Sequence, residues 1–227
     1  MNNTLIKILQ SREDLSDYLF HFTKGRNALL TLKTIISDKG VKDVNNCGYI
    51  CFTEAPVTML SDMFKIFMNY DKPMFAPYGV GLKKSYLHKL GARPVIYSDL
   101  SDFDKLKSIG LAWRFEEYSP NIHDFSWLRE WRIPLKEIEL TSENSIVITS
   151  KKEEKEILMD FNGNIDFDGC IEDGEFHGYA LGDFLQTFKH MSIDEIDEYN
   201  NLSKFQLEQI ISSQNLDEIE TRNLGCF

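Results

Sequence analysis

Hydrophobic and polar positions along the first half of the chain follow two periods, one typical of strands and one of helices. Residues 18–23, YLFHFT, alternate as a strand does, whereas residues 26–38 place apolar side chains at helical spacing. Residues 49–54, YICFTE, predict a second, buried strand that Pro56 ends. Residues 56–70 then form a helix pattern whose Met- and Phe-rich stripe indicates a face packed in the core.

The rest of the chain predicts further short elements in mixed order. We expect strands at 78–82, 93–98, 112–119 and 126–134, and helices at 83–91 and 99–110. Four glycines between 160 and 180 indicate a loop-rich segment, and helical patterns return at 181–190 and 192–220. The sequence therefore predicts an α+β fold: a strand-rich core over residues 1–150 and a mostly helical extension over residues 151–227, with a soft boundary.

Composition narrows the class of protein. The 227 residues are 42% hydrophobic and include 16 phenylalanines, so a folded domain with a substantial core is expected. The first residues lack a basic segment followed by a long apolar stretch, and no window approaches the roughly 18 apolar residues of a membrane span. We expect a soluble, cytoplasmic protein without a membrane partner.

The net charge of −11 is unevenly distributed. Residues 1–150 hold 19 basic and 18 acidic side chains, whereas residues 151–227 hold 6 and 18. The acidic region is most simply a solvated surface, but it is also a possible docking surface for a basic protein partner. Overall acidity argues against general nucleic-acid binding, although a local basic groove would escape that argument.

The four cysteines, Cys47, Cys51, Cys170 and Cys226, do not form a zinc pattern, because no histidine completes the pair at 47 and 51. We therefore predict reduced thiols and no metal site.

Polar residues within strand patterns are the candidate site. Alternation places His21 and Thr23 on one face of the first strand, opposite Phe20 and Phe22. A buried, hydrogen-bonded histidine is the simpler interpretation of His21. Thr53 and Glu54 end the second strand, where a hydroxyl and a carboxylate suit a ligand, although Glu54 also suits a helix cap.

Two later segments add charge. Arg93 enters the strand at 93–98, where a surface ion pair is the simpler interpretation. Arg129, Glu130, Trp131 and Arg132 follow one another, and alternation sends Glu130 and Arg132 to the same face. Such a group is either an ion-pair cluster that pins the strand or a carboxylate that stabilises a cationic transition state.

The order of these segments resembles bacterial abortive-phage-infection proteins of the AbiGi type. The motifs that carry the resemblance are HFT, CFTEAP, GARPV and REWR, and they span residues 18–134. Each motif is weak alone, and their combination and order are more specific. The resemblance implies a role in phage defence, and proteins of this type are generally described as antitoxins.

A looser resemblance is to the ADP-ribosyltransferase superfamily, which implies a core of that fold and NAD as a substrate. Carried over, His21 would hold the adenosine or ribose, Thr53 the nicotinamide ribose, and Glu130 the ribose 2′-hydroxyl and the oxocarbenium ion. Tyr97 or Trp131 would supply an aromatic wall. Leu128 stands where arginine-modifying members of the superfamily carry Glu or Gln, which counts against arginine as the acceptor.

Three functions remain open at this stage. The first is an NAD-using ADP-ribosyltransferase or NAD glycohydrolase that acts as a toxin on a protein or a nucleic acid. The second is a non-enzymatic antitoxin or regulatory partner, and the third is a nuclease or RNA-processing enzyme. The candidate catalytic residues are Glu130, His21 and Thr53. The candidate cofactor-binding residues are His21, Thr23, Thr53, Glu54, Arg93, Tyr97, Trp131 and Arg132.

Overall fold

The computed structural model describes residues 16–56, 59–120, 122–172, 175–200 and 221–223, with backbone alone for 160–186, 199–200 and 221–223. Its helices are α1 (Ala28–Ser37), α2 (Leu60–Phe67), α3 (Lys84–Lys89), α4 (Phe103–Ser108) and α5 (Ile193–Asn200). Its strands are β1 (Tyr18–Phe22), β2 (Gly40–Lys42), β3 (Ile50–Thr53), β4 (Gly79–Lys83), β5 (Arg93–Pro94), β6 (Ile96–Ser98), β7 (Phe115–Glu117), β8 (Glu130–Ile133), β9 (Glu137–Glu139), β10 (Ser145–Thr149), β11 (Met159–Glu172), β12 (Glu175–Gln186), β13 (Lys189–Ser192) and β14 (Thr221–Asn223). Short 3₁₀ turns cover Leu100–Asp102, Ala112–Arg114, Ser126–Leu128 and Lys152–Leu158.

The centre of the protein is a seven-stranded sheet in the order β13-β10-β4-β1-β3-β8-β5. Its neighbours are antiparallel except β10 and β13, which are parallel. Both faces are covered. One face carries a core of Leu19, Phe52, Val80, Leu82 and Ile133, against which α1 packs through Leu32. The other carries Phe20, Phe22 and Ile148, against which α2 packs through Leu60, Met63 and Phe64.

Strands β1 and β3 separate soon after they meet. β1 pairs with β4 along its whole length, but it meets β3 at one position, where Phe20 lies opposite Thr53. No other residue pair joins the two strands in the described structure, and His21 Nδ1 lies 2.8 Å from the carbonyl oxygen of Cys51. An opening therefore runs into the sheet between β1 and β3.

Two glycines let β1 and β4 approach closely. A Cβ atom on Gly79 would lie 2.4 Å from the carbonyl oxygen of His21 and 3.0 Å from the Cα of Phe22, so backbone would have to move. A Cβ on Gly81 would lie 2.9 Å from the Phe20 ring. Glycine at 79 is thus required by contact with the strand that carries His21.

Substituting Gly79 with alanine should destabilise the fold by about 2–3 kcal/mol, the upper part of the range for overpacking, because the clash is with backbone. Gly40→Ala is the matched control, since its Cβ would meet mainly the flexible Glu137 side chain at 3.0 Å. Urea unfolding of both variants measures the difference. Equal midpoints for the two variants would show that β1 and β4 are not held this tightly.

The elements predicted before residue 140 form near their predicted positions, although several are shorter. The strand predicted at 93–98 is divided into β5 and β6, and those predicted at 112–119 and 126–134 begin as 3₁₀ turns before β7 and β8. The α+β, strand-rich class is confirmed.

The loop predicted at 160–180 and the helix predicted at 181–190 are wrong. Residues 159–172 and 175–186 form a long antiparallel hairpin, β11 and β12, in place of a loop and a helix. The segment NIDFDGCIE alternates as a strand does, but the four glycines between 160 and 180 led to the prediction of a loop. α5 lies within the predicted helix at 192–220, and residues 201–220 lie outside the described residues.

Two elements of the region after residue 150, β13 and α5, pack against the core. β13 adds a parallel strand to the edge of the main sheet beside β10. Ile193 and Ile196 of α5 are buried against the core beneath α2, and the Ser61 hydroxyl donates to the Asp197 carboxylate at 2.8 Å. Within the described part of the chain, no helix has the length and apolarity needed to cross a membrane.

Candidate functional site

A cavity of about 640 Å³ lies at the opening between β1 and β3. Five of the predicted site residues line it: His21, Thr23, Thr53, Glu130 and Arg132. The volume is within the range of small-molecule sites. His21 and Thr53 are about 30 residues apart in the sequence, and Thr53 and Glu130 about 80. They meet at one surface because β1, β3 and β8 are neighbours in the sheet.

The three proposed catalytic residues reach this cavity from different sides of the sheet. Thr53 lies directly opposite both Phe20 and Glu130, so the side chains of all three leave the same face. His21 follows Phe20 and leaves the other face. Only the separation of β1 from β3 brings His21 and Glu130 to one cavity.

His21 is held as a neutral, oriented ring. Its Nδ1 lies 2.8 Å from the carbonyl oxygen of Cys51, and since a carbonyl only accepts, Nδ1 carries the hydrogen. Burial lowers the pKa of His21 below its ordinary 6.5; the bond to the Cys51 carbonyl works against this and the charge of Lys24 adds to it. The neutral ring keeps Nε2 as a hydrogen-bond acceptor.

The lowered pKa predicts a pH dependence of stability. Since the folded-state pKa of His21 lies below the unfolded value of about 6.5, the unfolded chain binds more protons in that interval. The free energy of unfolding should therefore be unaffected by His21 above about pH 6.5, and it should fall as the pH drops towards the folded-state pKa. Urea unfolding across about pH 7.5 to 5, above the range of ordinary carboxyl titration, measures the slope.

His21→Asn should flatten this slope, because the amide Nδ2–H can replace the bond to the Cys51 carbonyl without a titrating group. His190, whose pKa burial also lowers, should contribute to the slope in both proteins. His88→Asn makes the same substitution at an exposed position on α3 and serves as the control. An unaltered slope in His21→Asn would contradict the assignment.

Thr53 is buried and fully engaged by backbone. Its hydroxyl donates to the carbonyl oxygen of Leu128 at 2.5 Å and accepts from the Ala55 N–H at 3.0 Å. These bonds fasten the end of β3 to the turn before β8, so Thr53 shapes the cavity wall and fixes the position of its neighbour Glu130.

Glu130 belongs to a charge cluster centred on Arg132. Arg132 Nε donates to Glu130 Oε1 at 2.8 Å, and a terminal nitrogen of the same guanidinium bonds Glu116. The other terminal nitrogen donates to the Phe115 carbonyl at 2.6 Å, and the guanidinium lies 4.6 Å from the centre of the Tyr49 ring. The sequence indicated one carboxylate between arginines, whereas this cluster is one arginine between two carboxylates.

Burial defines the electrostatics of this cluster. The side chain of Arg132 is 6% exposed, against 13% for Glu130 and 25% for Glu116. Burial alone would lower the pKa of Arg132, but the hydrogen bond and charge of Glu130, with Glu116, reverse this and raise it. The guanidinium thus stays charged, and the cluster places two carboxylates around one guanidinium at the cavity wall.

Cys51 completes the surroundings of Glu130. It lies opposite Arg132 in the β3–β8 pairing and has an exposed surface on the cavity wall. Burial of the sulfur and the adjacent Glu130 carboxylate raise the pKa of the thiol to about 12, so it stays protonated. Sequence analysis predicted a reduced thiol at Cys51 but did not place it in the site.

Four predicted cofactor-binding residues do not line the cavity. Glu54 is buried and accepts hydrogen bonds from Lys84 and from the Trp131 indole N–H, the latter at 2.8 Å. Trp131 faces the core on the other side of the sheet and so is not the aromatic wall. Arg93 donates to the carbonyls of His88 and Ala92.

Tyr97 is the fourth of these residues, and it contacts the backbone of Glu130 instead of the cavity. Its hydroxyl accepts the backbone N–H of Glu130 at 3.0 Å, so it supports the strand without reaching the cavity.

The cavity also contains residues that sequence reasoning missed. Tyr49, Phe75 and Phe125 supply aromatic surface, Lys24 supplies a cation, and Glu116 comes from β7. Tyr49 adjoins a predicted strand and Lys24 follows the HFT motif, so proximity in sequence was a usable signal for both. No local signal identifies Glu116, because a different sheet delivers it.

Comparison with known proteins identifies no relative: no protein-family model, no curated protein and no solved structure matches the chain.

Proposed function

We propose that this cavity binds NAD and that the protein cleaves the bond between nicotinamide and ribose, as a glycohydrolase or an ADP-ribosyltransferase in phage defence. The observation that carries the proposal is the convergence of His21, Thr53 and Glu130 on one cavity of ligand size. The setting of phage defence rests on the motif resemblance alone.

The charge of the Glu130 cluster supports this chemistry. In the reaction, the C1′–N1 bond breaks with its electron pair going to nicotinamide, and the ribose becomes an oxocarbenium ion. Water or a hydroxyl, amine or base of an acceptor then bonds to C1′ and releases one proton. A carboxylate held beside C1′, as Glu130 would be, stabilises that ion, and a group fixed in this way needs no reorganisation during the reaction.

The mixed lining of the cavity supports a dinucleotide. Aromatic rings of Tyr49, Phe75 and Phe125 offer surface for nicotinamide or adenine, and Lys24 offers a cation for the pyrophosphate. Lys24 makes no side-chain hydrogen bond or ion pair within the described part of the chain, so its ammonium group is available. Arg132 is not available in this way, because two carboxylates and a carbonyl occupy it, which disfavours a nuclease that would use Arg132 on a phosphate.

A second candidate is a non-enzymatic antitoxin or regulatory partner that uses the cavity only for binding. The observation that favours it is the saturation of the polar groups: Thr53 is engaged by backbone and Glu130 by Arg132. Buried and paired polar groups are what a structural cluster requires. In this case the acidic side chains after residue 150 would serve a protein partner.

Nicotinamide release separates the two candidates. The purified full-length protein is incubated with NAD carrying a labelled nicotinamide, alone and with cell extract that supplies protein and nucleic-acid acceptors. Release without extract indicates a glycohydrolase, and release that requires extract indicates a transferase. Binding of NAD without any release under either condition would support the second candidate and overturn the first.

A further inference from the structure

We propose that the protein has a second ligand site, separate from the cavity that contains Glu130, which binds the di- or triphosphate group of a small molecule. The site is a cavity of about 660 Å³ lined by Lys83, Lys84, Ser85, His88, Lys89 and Trp131. It shares no lining residue with the cavity that contains Glu130.

The first support is the concentration of positive charge. Three lysines line this cavity against a single carboxylate, that of Asp17, in a chain whose net charge is −11. Lys84 is balanced by Glu54, whereas the side chains of Lys83 and Lys89 make no hydrogen bond or ion pair to any described residue. Neither ammonium group therefore has an ion-pair partner among the described residues, although Asp17 lies on the same wall, and phosphate oxygens would supply such a partner.

The second support is the way in which the cluster is fixed. Lys83 ends β4 and lies opposite Tyr18 of β1, and the chain then turns directly into α3, which carries the remaining cations. α3 is anchored by Leu87, which is fully buried in the core. The basic side chains are thus displayed by packed elements, and ordering them around an anion costs less entropy than it would on a loop.

The shape of the cavity indicates the class of ligand. Its volume is within the range of small-molecule sites, and the carboxylate of Asp17 on its wall opposes a long polyanion that would run past the lysines. A compact group with several adjacent negative charges, such as the phosphates of a nucleotide, matches two uncompensated lysines and the hydroxyl of Ser85.

The side chain and chain position of Glu54 link the second cavity to the cavity that contains Glu130. This buried carboxylate binds Lys84 and the Trp131 indole, both of which line the second cavity, and it follows Thr53, which lines the first. A phosphate that draws Lys84 towards itself competes with Glu54 for the ammonium group. Ligand in the second cavity should therefore perturb Trp131, one of the three tryptophans, and change its fluorescence.

Tripolyphosphate, pyrophosphate, orthophosphate and ATP are the probes, each titrated into the full-length protein in about 0.15 M salt, where exposed charges are screened. Calorimetry measures stoichiometry and affinity, and tryptophan fluorescence is followed in parallel. We expect saturable binding of one tripolyphosphate per chain and much weaker binding of orthophosphate. An affinity for ATP above that for tripolyphosphate would assign a contribution to the base and ribose as well.

Lys83→Glu/Lys89→Glu should weaken tripolyphosphate binding by about tenfold or more, because both uncompensated ammonium groups are reversed. Lys33→Glu/Lys136→Glu makes the same change of net charge at exposed positions outside the cavity and should leave the affinity unchanged. Lys83→Gln/Lys89→Gln, which removes the charges without reversing them, should also weaken binding and covers the case in which the reversed variant fails to fold.

The proposal would be overturned by a titration that does not saturate, or by equal weakening in the Lys33/Lys136 control, since either shows only a general charge effect. The test does not measure NAD turnover, so the outcome of the titration is independent of the function proposed for the cavity that contains Glu130.

Discussion

Glu130→Gln should lower NAD turnover by about 10²-fold or more, the scale of losing a group that stabilises transition-state charge. Glutamine keeps the volume of Glu130 and an oxygen that can accept from Arg132 Nε, but it removes the charge that faces the oxocarbenium ion. The effect should fall on kcat more than on KM, because the ground state of NAD carries no such ion at C1′. Initial rates of nicotinamide release measure both constants.

Stability should fall only modestly in the same variant. Arg132 retains its bond to Glu116 and its bond to the Phe115 carbonyl, so the guanidinium is not left unpaired. We expect a loss of about 1–2 kcal/mol, as for one charge-assisted hydrogen bond. Glu117→Gln, at an exposed neighbour in β7, is the matched control for both measurements.

The opposite pattern would assign Glu130 a structural role. If wild-type protein consumes no NAD and Glu130→Gln melts far lower, Glu130 is the partner that keeps Arg132 buried, and the binding-module candidate takes precedence. One thermal melt and one turnover assay therefore decide between the two functions.

Arg132→Met should cost about 3–5 kcal/mol of unfolding free energy, the range for breaking a buried ion pair by removing one partner. The substitution leaves the carboxylates of Glu130 and Glu116 without their shared cation and the Phe115 carbonyl without its donor. Arg132→Lys should lie between, since a lysine keeps the charge but cannot reach all three acceptors at once. Urea unfolding at pH 7 measures each variant.

Arg114→Met is the matched control, because Arg114 makes one exposed bond, from Nε to the Pro94 carbonyl at 2.9 Å. It should cost about 1 kcal/mol or less. Adding Glu130→Gln and Glu116→Gln to Arg132→Met should recover part of the loss, since the stranded charges are then removed. A loss in Arg132→Met no larger than in Arg114→Met would show that the cluster is solvated rather than buried.

Much of the fold before residue 140 follows from local patterns. The apolar periods at 18–23, 26–38 and 49–54 place β1, α1 and β3, because a period of two or of 3.6 buries one face whatever the rest of the chain does. Short elements were harder. The segment at 126–134 reads as one strand, but Arg129 adopts a left-handed conformation with φ of 46° that separates the 3₁₀ turn from β8.

Glycines misled the prediction after residue 150. Four of them within 160–180 indicated a loop, but the pairing of β11 with β12 supplies the hydrogen bonds that glycine-containing strands need. β13 likewise depends on its parallel partner β10, which lies about forty residues earlier in the chain. Pairing between distant segments overrides local propensity in both cases.

The sequence by itself identified His21, Thr53 and Glu130 as candidates, because polar side chains within apolar strands are visible as breaks in a pattern. Only the tertiary structure decided how they meet. The separation of β1 from β3 opens the cavity, β7 brings Glu116 to Arg132, and the strand register turns Trp131 and Glu54 away from the cavity. The physical reason is that register and strand order are set by contacts between distant segments, and a shift of one residue exchanges the two faces of a strand.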